Sequence, residues 1–234
     1  MNLVGHAAVA VRIRPEASDE LLVGTMAPDL AGMARVRLSP VPAHDAPRVD
    51  VAIGVALHHA SDASFHGSRW FNDHTQALRD ALLDAGVDRG AARACAHAGL
   101  EMLLDGELMR DPAIAEGANR ALAALTVDGA VLDAVVVLAP ADARERWRER
   151  LGMIGHNLDP HGYRSPDGVA ARLQRVTSGR ARIALRAAQV ATVAQVLRTY
   201  QPFLVADGAR VVDGVVADVR GPSRSARLQK AATP

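Results

Sequence analysis

Two segments of this chain repeat an ionisable residue at every fourth position. In "GVALHHASDASFHGS" (residues 54–68) these are His58, Asp62 and His66, and in "HAGLEMLLDGEL" (residues 97–108) they are His97, Glu101 and Asp105. A helix advances about 100° per residue, so side chains four apart drift by only about 40° and share one stripe. The spacing predicts two helices, each carrying a polar stripe that is either a ligand face or a solvated face. A single His-x-x-x-Asp pair is ordinarily a hydrogen-bonded surface pair. Two stripes on separate helices point instead to groups that face each other across a helix pair, with axes about 8–10 Å apart.

The material available for a core also favours helices. Apolar residues make up 49% of the chain but aromatic residues only 3%, so the interior must be built from Ala, Val and Leu, which suit closely approaching helices. The expected fold is an all-α helical bundle in a single domain over residues 1–218. A polar tail over 219–234 is expected to be disordered. Residues 2–13 read equally as strand or helix by pattern. Ser18 is a helix N-cap with Leu21, Leu22 and Met26 on its buried face, and Pro28 is expected to end that helix, leaving Asp29 just beyond it. Further helices are expected over about 49–65 and 72–85, closed by Gly67 and Gly86, then from Asp88 onward. Later ones are interrupted at Pro140, with two more over about 169–177 and 181–200. The segment "LVADGARVVDGVVADV" reads as a weaker helix or turn, and "RLSPVPAHDAPRVD", with His44, as an exposed loop.

Charge and cysteine usage narrow the function classes. The formal net charge of +1 lacks the basic excess of a dedicated nucleic-acid binder. Lys230 is the only lysine, so the abundance of arginine reads as a coding bias. Cys95 stands alone and can form no disulfide within the chain, which suits a reducing cytoplasm. The start "MNLVGHAAVAVRIRP" has no basic leader pattern, and no apolar run approaches the ~18 residues of a membrane span. A cytoplasmic protein with no nucleic-acid or membrane partner is expected.

Imidazole and carboxylate are the donors that suit manganese, iron and zinc, and mixed sets leave positions open for water or a phosphate oxygen. His6 joins the candidates because it lies in an otherwise apolar segment, where an unpartnered imidazole is costly to bury. Asp29 is as readily a helix-stop residue as a ligand. His59 is about 100° around its helix from His58, so it suits the substrate side or a supporting position. His74, His156 and His161 read as exposed. The arginines of "RLQRVTSGRARIALR", Arg172 and Arg175 among them, suit carboxylates or phosphate.

The order "MNLVGHAAVA", "LLVGTMAPDL", "VAIGVALHHASD" and then a helix with His and acidic residues resembles the acyl carrier protein phosphodiesterase family. Those proteins are helical and distantly similar to the HD-domain metal phosphohydrolases. His6, Asp29, His58 and Asp62 stand at positions that match the family pattern, and "YRSPDGVAARLQRVTSGRARIAL" is a looser match further on. The chain departs from the family where His59 replaces an arginine and where Phe65 and His66 replace a Thr-Asp pair. The family's "D-H-F-L" helix has become "HAGLEMLLDGEL". The resemblance implies an HD-domain-like bundle and a divalent metal, manganese foremost, with iron or zinc as alternatives. It also implies hydrolysis of a phosphodiester, releasing phosphopantetheine from holo acyl carrier protein. On this reading His6, Asp29, His58 and Asp62 hold metal, with His97 and Asp105 completing the shell. Asp62, His66 and Glu101 serve the chemistry, and His59, Arg172 and Arg175 meet the substrate, an acyl carrier protein being the partner. An HD-type or zinc phospholipase-like hydrolase with another substrate, or a non-catalytic helical scaffold, remain open.

Overall fold

The computed structural model describes residues 1–38 and 49–221, and His44 and the tail beyond residue 221 lie outside them. Among the described residues there is no strand. The architecture is α1 (Leu3–Ile13), α2 (Asp19–Ala34), α3 (Val49–Gly67), α4 (Arg69–Asp84), α5 (Arg89–Leu108), α6 (Pro112–Val127), α7 (Gly129–Val136), α8 (Arg144–Asn157), α9 (Pro166–Thr177) and α10 (Val190–Arg220). No helix among the described residues is long and apolar enough to cross a membrane.

The ambiguous segment after the N-terminus is the central helix. Leu3 to Ala10 of α1 are all buried, and a helix apolar on every side needs neighbours on every side. Helices α2, α3, α5, α6 and α10 supply them, and His6 is thereby carried into the interior. The most extensive helix pair is α2 with α3. A Cβ at Gly24 would fall on the Val51 carbonyl, and one at Gly54 on the Leu21 carbonyl, so glycine at both positions lets the two backbones meet. Asp29 and His58 lie about one turn beyond these glycines on the two facing helices.

Two expectations about helix limits are corrected, and a segment left open between helix and turn is helical. Pro28 does not end α2, which continues to Ala34. A proline in a helix interior costs ~3 kcal/mol through the lost hydrogen bond and ring crowding. Burial of Met26, Ala27, Leu30, Ala31 and Ala34 on both sides of it offsets that cost. Residues 181–189 are not helical throughout: turns and a short 3-10 segment, Ala187–Gln189, precede α10. Conversely, the weak region after residue 200 is continuous helix through Pro202 to Arg220. Leu204, Gly208, Val212, Val215, Val216 and Val219 are buried at helical spacing and hold this part of α10 in place.

Caps follow local sequence. Ser18 Oγ accepts from the Leu21 amide and Ser68 Oγ from the Phe71 amide, and Asp111 caps α6 ahead of Pro112. Gly86, at φ +80°, turns the chain after α4.

Candidate metal centre

Four helices bring their polar residues to one place. Helix α1 carries His6, α2 carries Asp29, α3 carries His58, Asp62 and His66, and α5 carries His97 and Glu101. Donor atoms of His6, Asp29 and His58 lie within 4.8 Å of one another, as do those of His66, His97 and Glu101. Asp62 stands between the two groups, its Oδ1 3.7 Å from His6 Nε2 and 3.3 Å from His66 Nδ1.

The first group is deeply placed and its rings are fixed from behind. His58 Nδ1 donates to the Thr25 carbonyl at 2.9 Å, in the turn of α2 before Pro28. Ser61 Oγ gives its proton to the His58 carbonyl at 2.9 Å and so accepts from His6 Nδ1, also at 2.9 Å. His58 then carries its lone pair on Nε2, the arrangement that a supporting hydrogen bond imposes on a metal-ligating histidine, and His6 does so in the tautomer that donates from Nδ1, the other tautomer giving its Nε2 proton to the Met1 carbonyl. The two rings lie 3.9 Å apart. Burial, with each ring's neighbouring histidine adding to it, holds His6 well below its ordinary value and lowers His58 to about 4, so both are neutral.

Asp29 completes this group. Its Oδ2 is buried without a hydrogen-bond partner and lies 3.7 Å from His6 Nε2. Burial raises its pKa to about 7, with Glu101 and Asp62 pushing the same way. The Met1 carbonyl is a further oxygen, 3.2 Å from His6 Nε2. Donor atoms from three helices therefore converge on one small space, where together they could hold a cation.

The second group is nearer to solvent. His66 Nε2 donates to Glu101 Oε1 at 2.8 Å, and His97 Nε2 lies 3.5 Å from the same oxygen. The His66 and His97 rings are stacked with centroids 5.1 Å apart, and half of the His97 side chain is exposed. Hydrogen bonds to Asp62 and Glu101 raise His66 to about 9, while burial lowers His97. Burial acts to raise Asp62 and Glu101, but the His66 hydrogen bond and the Met1 α-ammonium outweigh it and hold both carboxyls low. That ammonium lies 2.7 Å from Asp62 Oδ1 and 3.3 Å from Glu101 Oε1.

Not every expected residue joins these groups. Asp105, expected as a ligand, is fully buried, with Oδ2 accepting from the Val4 amide at 3.0 Å and Oδ1 from the Gly5 amide at 2.8 Å. It holds the N-terminus of α1, where the first turn leaves amides without helical partners, and stands outside the donor set. Burial raises its pKa to about 8 against the pull of those two amides. His59 is exposed on α3, with its ring edge-on to His58 at 5.2 Å. Arg172 and Arg175 are on α9, which packs against α5 and α10 and supplies none of the converging donors. Arg172 lies against Tyr163.

Sequence reasoning missed Ser61 and the Thr25 carbonyl. A serine directly before Asp62 in the middle of an apolar helix is the signal for the first. The second is a backbone group and leaves no mark in the residue pattern. Compared with models of known families, with curated proteins and with solved structures, the chain matches none.

Proposed function

We propose that this chain is a metal-dependent phosphodiester hydrolase with an HD-domain-like helical bundle, akin to acyl carrier protein phosphodiesterase in the reaction it performs. The observation that carries the reading is the pair of histidines on α1 and α3. Each Nδ1 meets an oxygen, and the two Nε2 atoms lie beside a buried carboxylate oxygen of Asp29 that has no hydrogen-bond partner, with His6 Nε2 also 3.2 Å from the Met1 carbonyl. His6, Asp29, His58 and Asp62 would hold a divalent ion, with manganese the leading choice and iron or zinc compatible with the same donors. Bound there, such an ion supplies Lewis acidity toward phosphoryl oxygens and lowers the pKa of water.

The rest is the work of the chain itself. Ser61 and the Thr25 carbonyl hold the two rings in one orientation, and Asp105 fixes the start of α1, which keeps His6 at its depth. Asp62 is kept anionic by His66, so its charge is available at neutral pH. His66, His97 and Glu101 border the solvent side, through which a phosphodiester would reach the centre. His59 lies exposed beside His58 on the same helix. Arg175, exposed on α9, offers a guanidinium to the carboxylates of an acidic carrier protein. A lone, buried Cys95 suits action in a reducing cytoplasm.

The test is a panel of phosphodiesters, including bis(4-nitrophenyl) phosphate and holo acyl carrier protein, assayed with manganese and after chelation. The reading expects chelation-sensitive hydrolysis that His58→Ala abolishes. Bound metal with no hydrolysis of any panel member would overturn the activity.

A further inference from the structure

Met1 brings two main-chain atoms up to the donor set. Its carbonyl oxygen lies 3.2 Å from His6 Nε2, and its α-nitrogen lies 2.7 Å from Asp62 Oδ1. Asp62 Oδ1 and Asp29 Oδ2 are each 3.7 Å from the same His6 Nε2. Metal–donor bonds of about 2.0–2.2 Å set neighbouring donors roughly 3–3.5 Å apart, so the two Met1 atoms stand about where neighbouring donors of one shell would. An amine and the carbonyl of the same residue close a five-membered ring on an ion.

The fold fixes Met1 in this position. Met1 is 3% exposed and its side chain belongs to the core. A Cβ at Gly5 would fall 2.8 Å from Met1 Cε, so glycine there gives the Met1 side chain its place. The His6 amide donates to the Asn2 carbonyl at the start of α1, whereas the Gly5 amide, four residues beyond Met1, goes to Asp105 Oδ1. Asp105 thereby leaves the Met1 carbonyl facing His6 rather than closing a helical hydrogen bond. In the tautomer that donates from Nδ1 to Ser61, His6 Nε2 and the Met1 carbonyl are two acceptors 3.2 Å apart, and a cation between them satisfies both. The α-nitrogen also lies 3.3 Å from Glu101 Oε1 and 3.5 Å from His66 Nε2, so its surroundings are polar while the Met1 side chain is anchored in the core.

We propose that Met1 is itself a ligand of the ion held by His6, Asp29, His58 and Asp62, binding as a chelate through its α-nitrogen and carbonyl oxygen. The proposal rests on the reading of those four residues as a metal centre. On binding, the α-ammonium releases one proton to solvent and the nitrogen lone pair goes to the ion, as for any ligand that is protonated beforehand. A group joined to the α-nitrogen by an amide bond removes that donor.

The experiment is electron–nuclear double resonance on the full chain loaded with manganese, in material labelled with nitrogen-15 methionine or with nitrogen-15 histidine. Six methionines take the label, but those after Met1 hold it in peptide amides, which do not ligate manganese. A nitrogen-15 coupling from labelled methionine, beside one from labelled histidine, is the expected result. Coupling from histidine with none from methionine refutes the chelate and leaves the metal centre standing, the α-ammonium then being only the ion-pair partner of Asp62 and Glu101. No bound manganese removes both readings. A second measurement compares the manganese affinity of the chain with that of a chain carrying one glycine ahead of Met1, with thermal unfolding under chelator as the check on folding. The added residue should weaken binding by at least ~10-fold, the least that losing a supporting partner costs a metal site, and equal affinity would also refute the chelate. The labelled spectra decide the matter should the extended chain fail to fold.

Discussion

Replacing Ser61 by alanine takes a single oxygen out of the buried array behind the candidate metal centre. Ser61 is fully buried, and its Oγ bridges His6 Nδ1 and the His58 carbonyl at 2.9 Å each. The carbonyl belongs to a helix and keeps other partners, whereas the fully buried His6 Nδ1 loses its acceptor. An orphaned buried donor costs about 1–3 kcal/mol. For a chain of this size each kcal/mol lowers the melting temperature by about 2–4 °C, so a loss of several degrees is expected in the presence of chelator. Removing the partner that orients a metal-ligating histidine weakens affinity by about 10–100-fold, which is ~1.4–2.8 kcal/mol of binding free energy. Ser64→Ala on the same helix is the control. Its Oγ donates to Asp218 Oδ2 at 2.7 Å and it is nearly buried, so it should lose stability without losing metal affinity. Calorimetric titration with manganese and thermal unfolding with chelator measure the two quantities. Equal manganese affinity in wild type, Ser61→Ala and Ser64→Ala would refute the view that Ser61 orients a ligand.

Asp105→Asn keeps shape but presents an amide donor to one of the Val4 and Gly5 amides, so urea unfolding should show a loss of about 1–3 kcal/mol. Gly54→Ala should destabilise by about 1–3 kcal/mol, because its Cβ meets backbone of α2 and overpacking outweighs the helix propensity gained. Differential scanning calorimetry measures this, and a stabilised variant would contradict the close α2–α3 approach. Burial raises the Cys95 thiol to about 12. A thiol raised so far is mostly neutral until the pH nears that value, whereas an ordinary thiol, near pKa 8.5, ionises appreciably at pH 8. A disulfide reagent at pH 8 should therefore modify the folded protein at least ~10²-fold more slowly than the unfolded chain.

The four-residue spacing of His58, Asp62 and His66 was legible because helical geometry alone places them on one face, and α3 carries them as expected. The same rule misled at Asp105. It shares its stripe with Glu101, but the free amides at the start of α1 claim both its oxygens across about 100 residues of sequence. Spacing along one helix does not reveal which neighbour will claim a side chain. Pro28 misled for a related reason, since local rules weigh the lost hydrogen bond and not the tertiary burial on either side of it. Ser61 and the Thr25 carbonyl became visible only once α1 and α2 were packed against α3.

The most direct test of the central claim is anomalous scattering from crystals of the chain grown with manganese. The account predicts a peak at coordination distance from His6 Nε2, His58 Nε2 and Asp29. Ordered side chains at these positions with no anomalous peak among them, or manganese bound only at the surface, would contradict it.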